Sequence, residues 1–253
     1  MEHSYYYLLP DYMKKWMVMP YDYKDEKNKA SYKMERMPMT DIAIRWTHGA
    51  IDTEEMNQIL EKTFHFINTR PTKKVSKDEY KKISNKLYLE KLNDRIETLK
   101  KKPEFNKIAA LIKAGTNYNT IDEIVEKYNK LYNENNRYDN EYELAMGHGD
   151  LFFANMLYSK ELNMLKLIDP KGGLTEEDLW MNPYYDIAKL SHSICGRYDF
   201  FNVDRYRLYL NKEMNFEIEY MFDNEKFVKL FKKFLESNHY NYKLVRLYEA
   251  SLF

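Results

Sequence analysis

The sequence predicts an α+β chain in which a mostly helical body follows a short N-terminal β-hairpin, and three observations carry that prediction. Tyrosine and lysine abound while glycine and proline number only seven each in 253 residues, a composition that favours long helices with few irregular loops. Two short aromatic or apolar runs, Trp16 to Pro20 and Ala30 to Met37, flank the charged stretch Asp22 to Lys29 and read as antiparallel strands around a solvated loop. Beyond Pro38, apolar residues recur at helical spacing through most of the chain. A chain of this length buries a substantial core, as one domain or as a large lobe with a small one.

The elements follow in order. Thr40 and Asp41 are helix-start signals, and Thr53 with Glu54 and Glu55 opens a second helix with a cap and an acidic first turn. Met56, Ile59, Leu60, Thr63, Phe64 and Ile67 form its core stripe. Ser76 to Lys101 is a charged amphipathic segment with Tyr80, Ile83, Leu87, Leu89, Leu92, Ile96 and Leu99 on one side and a solvated lysine face on the other. Pro103 begins another helical pattern near Phe105, and Thr120 with Glu123 starts the next in the manner of a capping box. Asn155 to Tyr158 and Met164 to Ile168 read as two strands joined by the polar turn Ser159 to Asn163. From Tyr184 the pattern is helical again, with Phe216 to Tyr220 a strand or loop excursion before a helix start at Asp223 to Glu225. Arg246 to Phe253 is an amphipathic helical sequence that stops on apolar residues without a C-cap, so a segment of a longer parent chain with further domains is expected.

Composition narrows the class. Forty basic and forty acidic side chains cancel, leaving no global electrostatic argument for nucleic acid or an anionic membrane. The lone Cys195 excludes an intrachain disulfide and a multi-cysteine zinc site, which suits a reducing compartment. No apolar run approaches the roughly 18 to 20 residues that span a bilayer, and the N-terminus lacks a secretory signal pattern. A soluble, cytoplasmic protein with small-molecule partners is expected.

The informative segment runs from His148 through Gly149 and Asp150 to Asn155, followed fourteen residues later by Asp169, with Pro170 and Lys171 next. Moving a phosphoryl group asks little covalent chemistry of a protein beyond orienting the attacking hydroxyl and neutralising phosphate oxygens through Mg2+. Asp150 is the candidate proton acceptor. Asn155 offers a neutral oxygen and Asp169 a charged one to a hard cation, and the intervening hairpin returns Asp169 beside Asn155. Taken singly, Asp150 reads as a turn or cap residue, Asn155 as a turn former and Asp169 as a strand-end turn before Pro170. As a set they read as a catalytic and metal half-site.

These residues resemble the catalytic loop and metal-binding Asp of the aminoglycoside phosphotransferase and choline kinase superfamily, relatives of the protein kinases. Protein kinases carry Arg where this chain has Gly149, and no Ala-Pro-Glu sequence follows, so the small-molecule branch fits better. The resemblance implies a protein-kinase-like fold, with residues 1–37 a reduced small-lobe remnant and hinge and 38–253 the helical catalytic large lobe. It covers roughly residues 16 to 253 and is most specific between 148 and 190. It implies ATP and Mg2+ as cofactors, with Asn155 and Asp169 as the metal ligands. His148 joins Asp150 in the catalytic loop as an orienting imidazole rather than a base, and Asp186 braces that loop. The segment from Ser31 to Pro38 resembles the strand that becomes a kinase hinge, so the backbone near Met34, Glu35 and Met37 would meet adenine. Ile168 to Gly172 with Tyr185 to His192 looks most like bacterial members tied to surface-polysaccharide biosynthesis.

The chain also departs from that pattern. Its glycines stand at 49, 115, 147, 149, 172, 173 and 196, so no Gly-x-Gly-x-x-Gly loop exists, and only about fifteen residues precede the first hairpin strand. Glu2 to Tyr7 reads as the end of the helix that normally supplies a glutamate. Lys171 is the one well-placed phosphate-contacting cation. The expected function is ATP- and Mg2+-dependent transfer of the γ-phosphoryl group to a hydroxyl of choline, an aminoalcohol, a sugar or an aminoglycoside. The alternative is a non-catalytic kinase-like nucleotide-binding or scaffold module of a larger protein.

Overall fold

The computed structural model describes residues 2–27, 29–135, 142–213 and 215–252. It is α+β, with four small antiparallel sheets set among helices. Among the described residues, no helix is long and apolar enough to cross a membrane.

The N-terminal hairpin pairs Pro20–Glu26 with Lys29–Met34, which corrects the expected strand boundaries. The charged stretch forms strand rather than loop, and Asn28 lies outside the described residues. The ribbon is almost wholly exposed, touched mainly by the N-terminal residues, where His3 stacks on Tyr23 at 4.2 Å. Trp16, Met17 and Val18 are buried instead: they run beside the Met164–Leu167 strand, where Leu167 N donates to Trp16 O at 2.8 Å and Val18 N to Leu167 O at 3.1 Å. The apolar run therefore serves the core and the polar run the ribbon. Upstream, the helix Glu2–Leu8 buries Tyr5 and Tyr6 in the same core, and Tyr32 of the ribbon donates to the Glu2 carboxylate.

Past the connector 35–39, Thr40–Asp41 pairs with Met156–Ser159, which pairs in turn with Met164–Leu167. The hairpin of Met156–Ser159 and Met164–Leu167 thus forms where the sequence places it. Asp41 caps Ile42–Thr47 by accepting from Ile44 N at 2.8 Å. The next helix, Thr53–Thr69, is capped by Asp52 rather than Thr53, because the Asp52 carboxylate reaches Glu55 N at 2.8 Å from an extended backbone. Its predicted stripe is wholly buried.

Ser76 caps Lys77–Asn85, a π-helical turn spans Lys86–Glu90, and Lys91–Lys100 continues the segment. Helices Phe105–Gly115 and Ile121–Asn135 follow; Thr120 accepts from Glu123 N as expected, while Glu123 reaches back to Asn119 N. The three-stranded sheet of Thr72–Lys74, Glu143–Met146 and Trp180–Met181 has no counterpart in the sequence reading, since its strands are too short to show alternation. Tyr206–Leu210 pairs with Phe216–Tyr220, and Glu225–Ser237 and Tyr242–Glu249 complete the helices. Trp46 centres an aromatic cluster of Phe153, Phe200, Phe222 and Phe227, with ring centroids 5.0 to 6.1 Å away.

Candidate active site

The helix Tyr184–Ile194 positions the loop from His148 to Asn155 with one face. Asp186, Lys189 and Ser193, at i, i+3 and i+7, each hold a successive part of it. Asp186 accepts from the His148 and Gly149 amides at 2.9 and 2.7 Å, Lys189 meets the Asp150 carboxylate at 2.9 Å, and Ser193 Oγ accepts from Phe153 N at 3.0 Å. The helix is itself fixed at its start. Buried Asn182 accepts from Tyr184 N and donates to Tyr80 and Ser84, each at 2.9 Å.

Asp186 is inaccessible to solvent, and a buried carboxylate needs compensation. Arg70 supplies it. Its Nη1 donates to Asp186 Oδ2 at 2.7 Å, and its Nε and Nη2 donate to Ile67 O and Pro183 O. Together with the two loop amides, this ties the end of helix Thr53–Thr69 to the loop.

His148 is likewise inaccessible. Burial holds its imidazole below the ordinary value, so the ring is neutral. Nε2 donates to Ile168 O at 2.9 Å, which leaves Nδ1 to accept the Asp150 amide at 3.3 Å. Both nitrogens are thereby engaged in joining the catalytic loop to the residue before Asp169. Gly149 adopts φ +81°, and a Cβ there would lie 2.6 Å from Lys171 Cβ. Glycine is required on both counts. Lys171 N closes the arrangement by donating to His148 O at 3.0 Å.

Asp150, Asp169 and Lys171 line one cavity of about 380 Å³. Asn155 stands beside them, its Nδ2 donating to Asp150 O at 2.9 Å, to Asp150 Oδ2 at 3.2 Å and to Asp169 O at 3.5 Å. Those bonds turn the carbamoyl nitrogen inward and leave its oxygen as the pole for a cation. Asp169 holds a left-handed φ of +51°, a conformation few side-chain-bearing residues adopt, and its carboxylate is exposed. Two hard oxygen donors suit Mg2+, which takes one or two protein ligands and completes its shell with phosphate oxygens and water. Among the described residues no cluster of three His, Cys, Asp or Glu offers a self-sufficient metal site.

The sequence-predicted residues do not all converge. Met34 ends the ribbon strand and packs against the core, while Glu35 and Met37 lie on the connector; none lines the cavity that holds Asp150. The cavity wall contains Lys91, Arg95, Lys189 and His192, which sequence reasoning missed. Their signal was present as i, i+4 and i, i+3 pairs on two helices, but Lys91 and Arg95 sit in a lysine-rich stretch that reads as an ordinary solvated face. Burial, then the charges of Lys171, Lys189 and Arg95, lower the Lys91 ammonium to about 8. His192, stacked on Tyr198 at 4.1 Å, is pushed down to about 3, chiefly by burial and then by Lys189. Lys171 is exposed by area yet set into the cavity wall; desolvation lowers it first, and Lys86 and Lys189 add to the effect.

No family model and no curated protein matches the sequence. Solved structures do match in fold. A glucosamine kinase in complex with glucosamine, ADP and inorganic phosphate superposes with a TM-score of 0.55 at 10% identity, covering 98% of this chain and 64% of that one. Glucosamine kinase in crystal form A gives 0.54 at 10% identity with 98% and 60% covered. Crystal form B gives 0.53 at 11% with 94% and 60% covered. At these identities the likeness is one of fold, and this chain spans about three fifths of the length of the structures it matches.

Proposed function

We propose that the chain is an ATP- and Mg2+-dependent phosphotransferase that moves the γ-phosphoryl group to a hydroxyl of a small molecule. The observation that carries this reading is the meeting of Asp150, Asn155 and Asp169 at one cavity, through a loop and a hairpin locked together by Asp186, Arg70 and His148. The same fold occurs in a structure that holds glucosamine, ADP and inorganic phosphate, the reactant classes this reading requires.

Asp150 orients the acceptor hydroxyl and takes its proton as the oxygen bonds to the γ-phosphorus, while the bond from that phosphorus to the bridging oxygen breaks and ADP leaves. Lys189, at 2.9 Å, keeps the Asp150 carboxylate aimed into the cavity. Mg2+ held by Asn155 and Asp169 would neutralise charge on the phosphates. Lys171 is the cation placed to meet the transferred group, and His148 and Asp186 act as positioning residues. The connector at Met34 to Met37 is the proposed adenine contact. Choline, an aminoalcohol, a sugar or an aminoglycoside are the acceptor classes carried forward, and a cytoplasmic site of action is proposed with them.

The alternative, a non-catalytic module, has one observation in its favour. On the N-terminal side Glu2 meets Tyr32, and Lys33 pairs with Asp22, so no lysine–glutamate pair is seen among the described residues where a nucleotide lobe would need one. Incubation with Mg-ATP and an acceptor panel, scored by ADP release, separates the two. The phosphotransferase reading expects acceptor-dependent turnover that falls about 10²- to 10⁴-fold in Asp150→Asn; turnover indifferent to that substitution overturns it.

A further inference from the structure

The cavity that holds Asp150 has an uneven charge. Among the described residues its wall carries Lys91, Lys171 and Lys189 against the carboxylates Asp150 and Asp169, while Arg95 is engaged with Leu252 O at 2.7 Å. Lys189 is committed to Asp150. Lys171 follows Asp169 by two residues and is held by its backbone to His148 O. Lys91 is different. Among the described residues it meets no carboxylate: its Nζ donates to Tyr185 Oη at 2.9 Å and lies 5.6 Å from that ring's centroid. Lys171 Nζ lies 5.9 Å from the same centroid, so two ammonium groups flank one tyrosine.

The excess is local. A neighbouring cavity of about 470 Å³ shares Lys91 and Lys171, and there Lys86 and those two lysines face Glu90, Asp94, Glu177 and Asp178, so the cationic excess belongs to the side that Asp150 lines. It also lies on the acceptor side. Lys91, Tyr185 and His192 feel the charge of Asp150, whereas Tyr6 and Tyr32 on the N-terminal elements feel that of Asp169. A half-buried ammonium crowded by cations is costly without an anion, and a bound anion would relieve it. A cationic acceptor would add to the crowding.

We propose that the acceptor is anionic, carrying a carboxylate or phosphate besides the hydroxyl that attacks, and that Lys91 is the specificity-determining anion subsite. The inference rests on the phosphotransferase reading and narrows it: a sugar acid or a sugar phosphate fits this wall, whereas choline, glucosamine and other amines do not. The π-helical turn Lys86–Glu90 contributes by resetting the helix phase ahead of Lys91, while burying Leu87 and Tyr88.

The test uses the chain as it stands with glucuronate, glucose 6-phosphate, glucose, glucosamine and choline, in two assays. Calorimetry measures binding of each compound, and ADP release measures transfer from Mg-ATP. The expected result is binding of glucuronate or glucose 6-phosphate about tenfold or more tighter than glucose, with the two arms distinguishing carboxylate from phosphate. Lys91→Gln should abolish that preference, Lys91→Arg should largely restore it, and the KM for ATP should not change in either. Binding of glucosamine, choline or glucose as tightly as the acids, or no binding of the acids, overturns the inference. So does a Lys91→Gln effect confined to ATP. Preferential binding of an acid that depends on Lys91, without ADP release from any acceptor, would instead leave the subsite standing and sink the phosphotransferase reading.

Discussion

The two carboxylates of the cavity stand before different walls. Asp150 faces helices that present Lys91, Arg95, Lys189 and His192, and its nearest cation is an ammonium at 2.9 Å. Asp169 faces the N-terminal helix and ribbon, where Tyr6 and Tyr32 feel its charge and are pushed up, mainly by burial. One wall is cationic and built on the helices Lys91–Lys100 and Tyr184–Ile194; the other is aromatic and ends in an exposed two-stranded ribbon. The contrast teaches that the site's electrostatics come almost wholly from the helical side. A phosphate-binding cation is therefore sought first at Lys171, in the loop after Asp169 that lines the same cavity, rather than on the ribbon.

The sharpest way to break the contrast is to remove the Asp150 carboxylate. Asp150→Asn should cost about 10²- to 10⁴-fold in turnover while leaving the thermal midpoint within a few degrees of the parent, because the side chain is partly exposed and only Lys189 loses its ion-pair partner. Next in size is the brace behind the helical wall. Arg70→Met strands the Asp186 carboxylate among the loop amides, and a loss of about 3–5 kcal/mol in denaturant unfolding is expected. Gly149→Ala should cost about 1–3 kcal/mol, because it forces a side chain into φ +81° and against Lys171 Cβ; it should also lower turnover by displacing Lys171.

The pH response is smaller and has a defined sign. His148 and His192 are both held below the ordinary imidazole value, first by burial, so the unfolded chain takes up protons before the native one as pH falls. Stability should therefore decline below about pH 6.5, by at most about 1.4 kcal/mol per pH unit for each histidine. Asp199 opposes this: burial raises it to about 6, so the native chain protonates first and gains stability between about pH 6 and 4. Thermal melts from pH 7.5 to 4.5 should show a net fall, and His192→Phe, which keeps an aromatic ring beside Tyr198, should flatten it. The ribbon wall should show the least effect. Lys33→Ala removes only an exposed pair with Asp22 and should leave the melting temperature unchanged.

Legibility followed sequence distance. The hairpin that brings Asp169 back beside Asn155 was readable because its two strands are close in sequence, and the structure pairs Met156–Ser159 with Met164–Leu167 as that spacing requires. The stripe of Thr53–Thr69 was readable because helical period alone exposes it. The ribbon was misread, since Trp16 to Val18 has the look of a strand but is drawn to the core edge at Leu167, leaving polar residues to pair with one another. Arg70 was invisible because its partner lies 116 residues away.

By itself the sequence determined the loop from His148 to Asn155, the hairpin that returns Asp169 beside it, the helical body and the absence of a glycine-rich loop, all properties set by local spacing and residue type. Only the tertiary structure decided that Asp186, Lys189 and Ser193 form one supporting face, that Arg70 neutralises it, and that Lys91 and Arg95 turn a lysine-rich helix toward Asp150. Those facts depend on which helix faces pack together. Charge acquires meaning there through burial and neighbours, and a linear pattern of lysines contains neither.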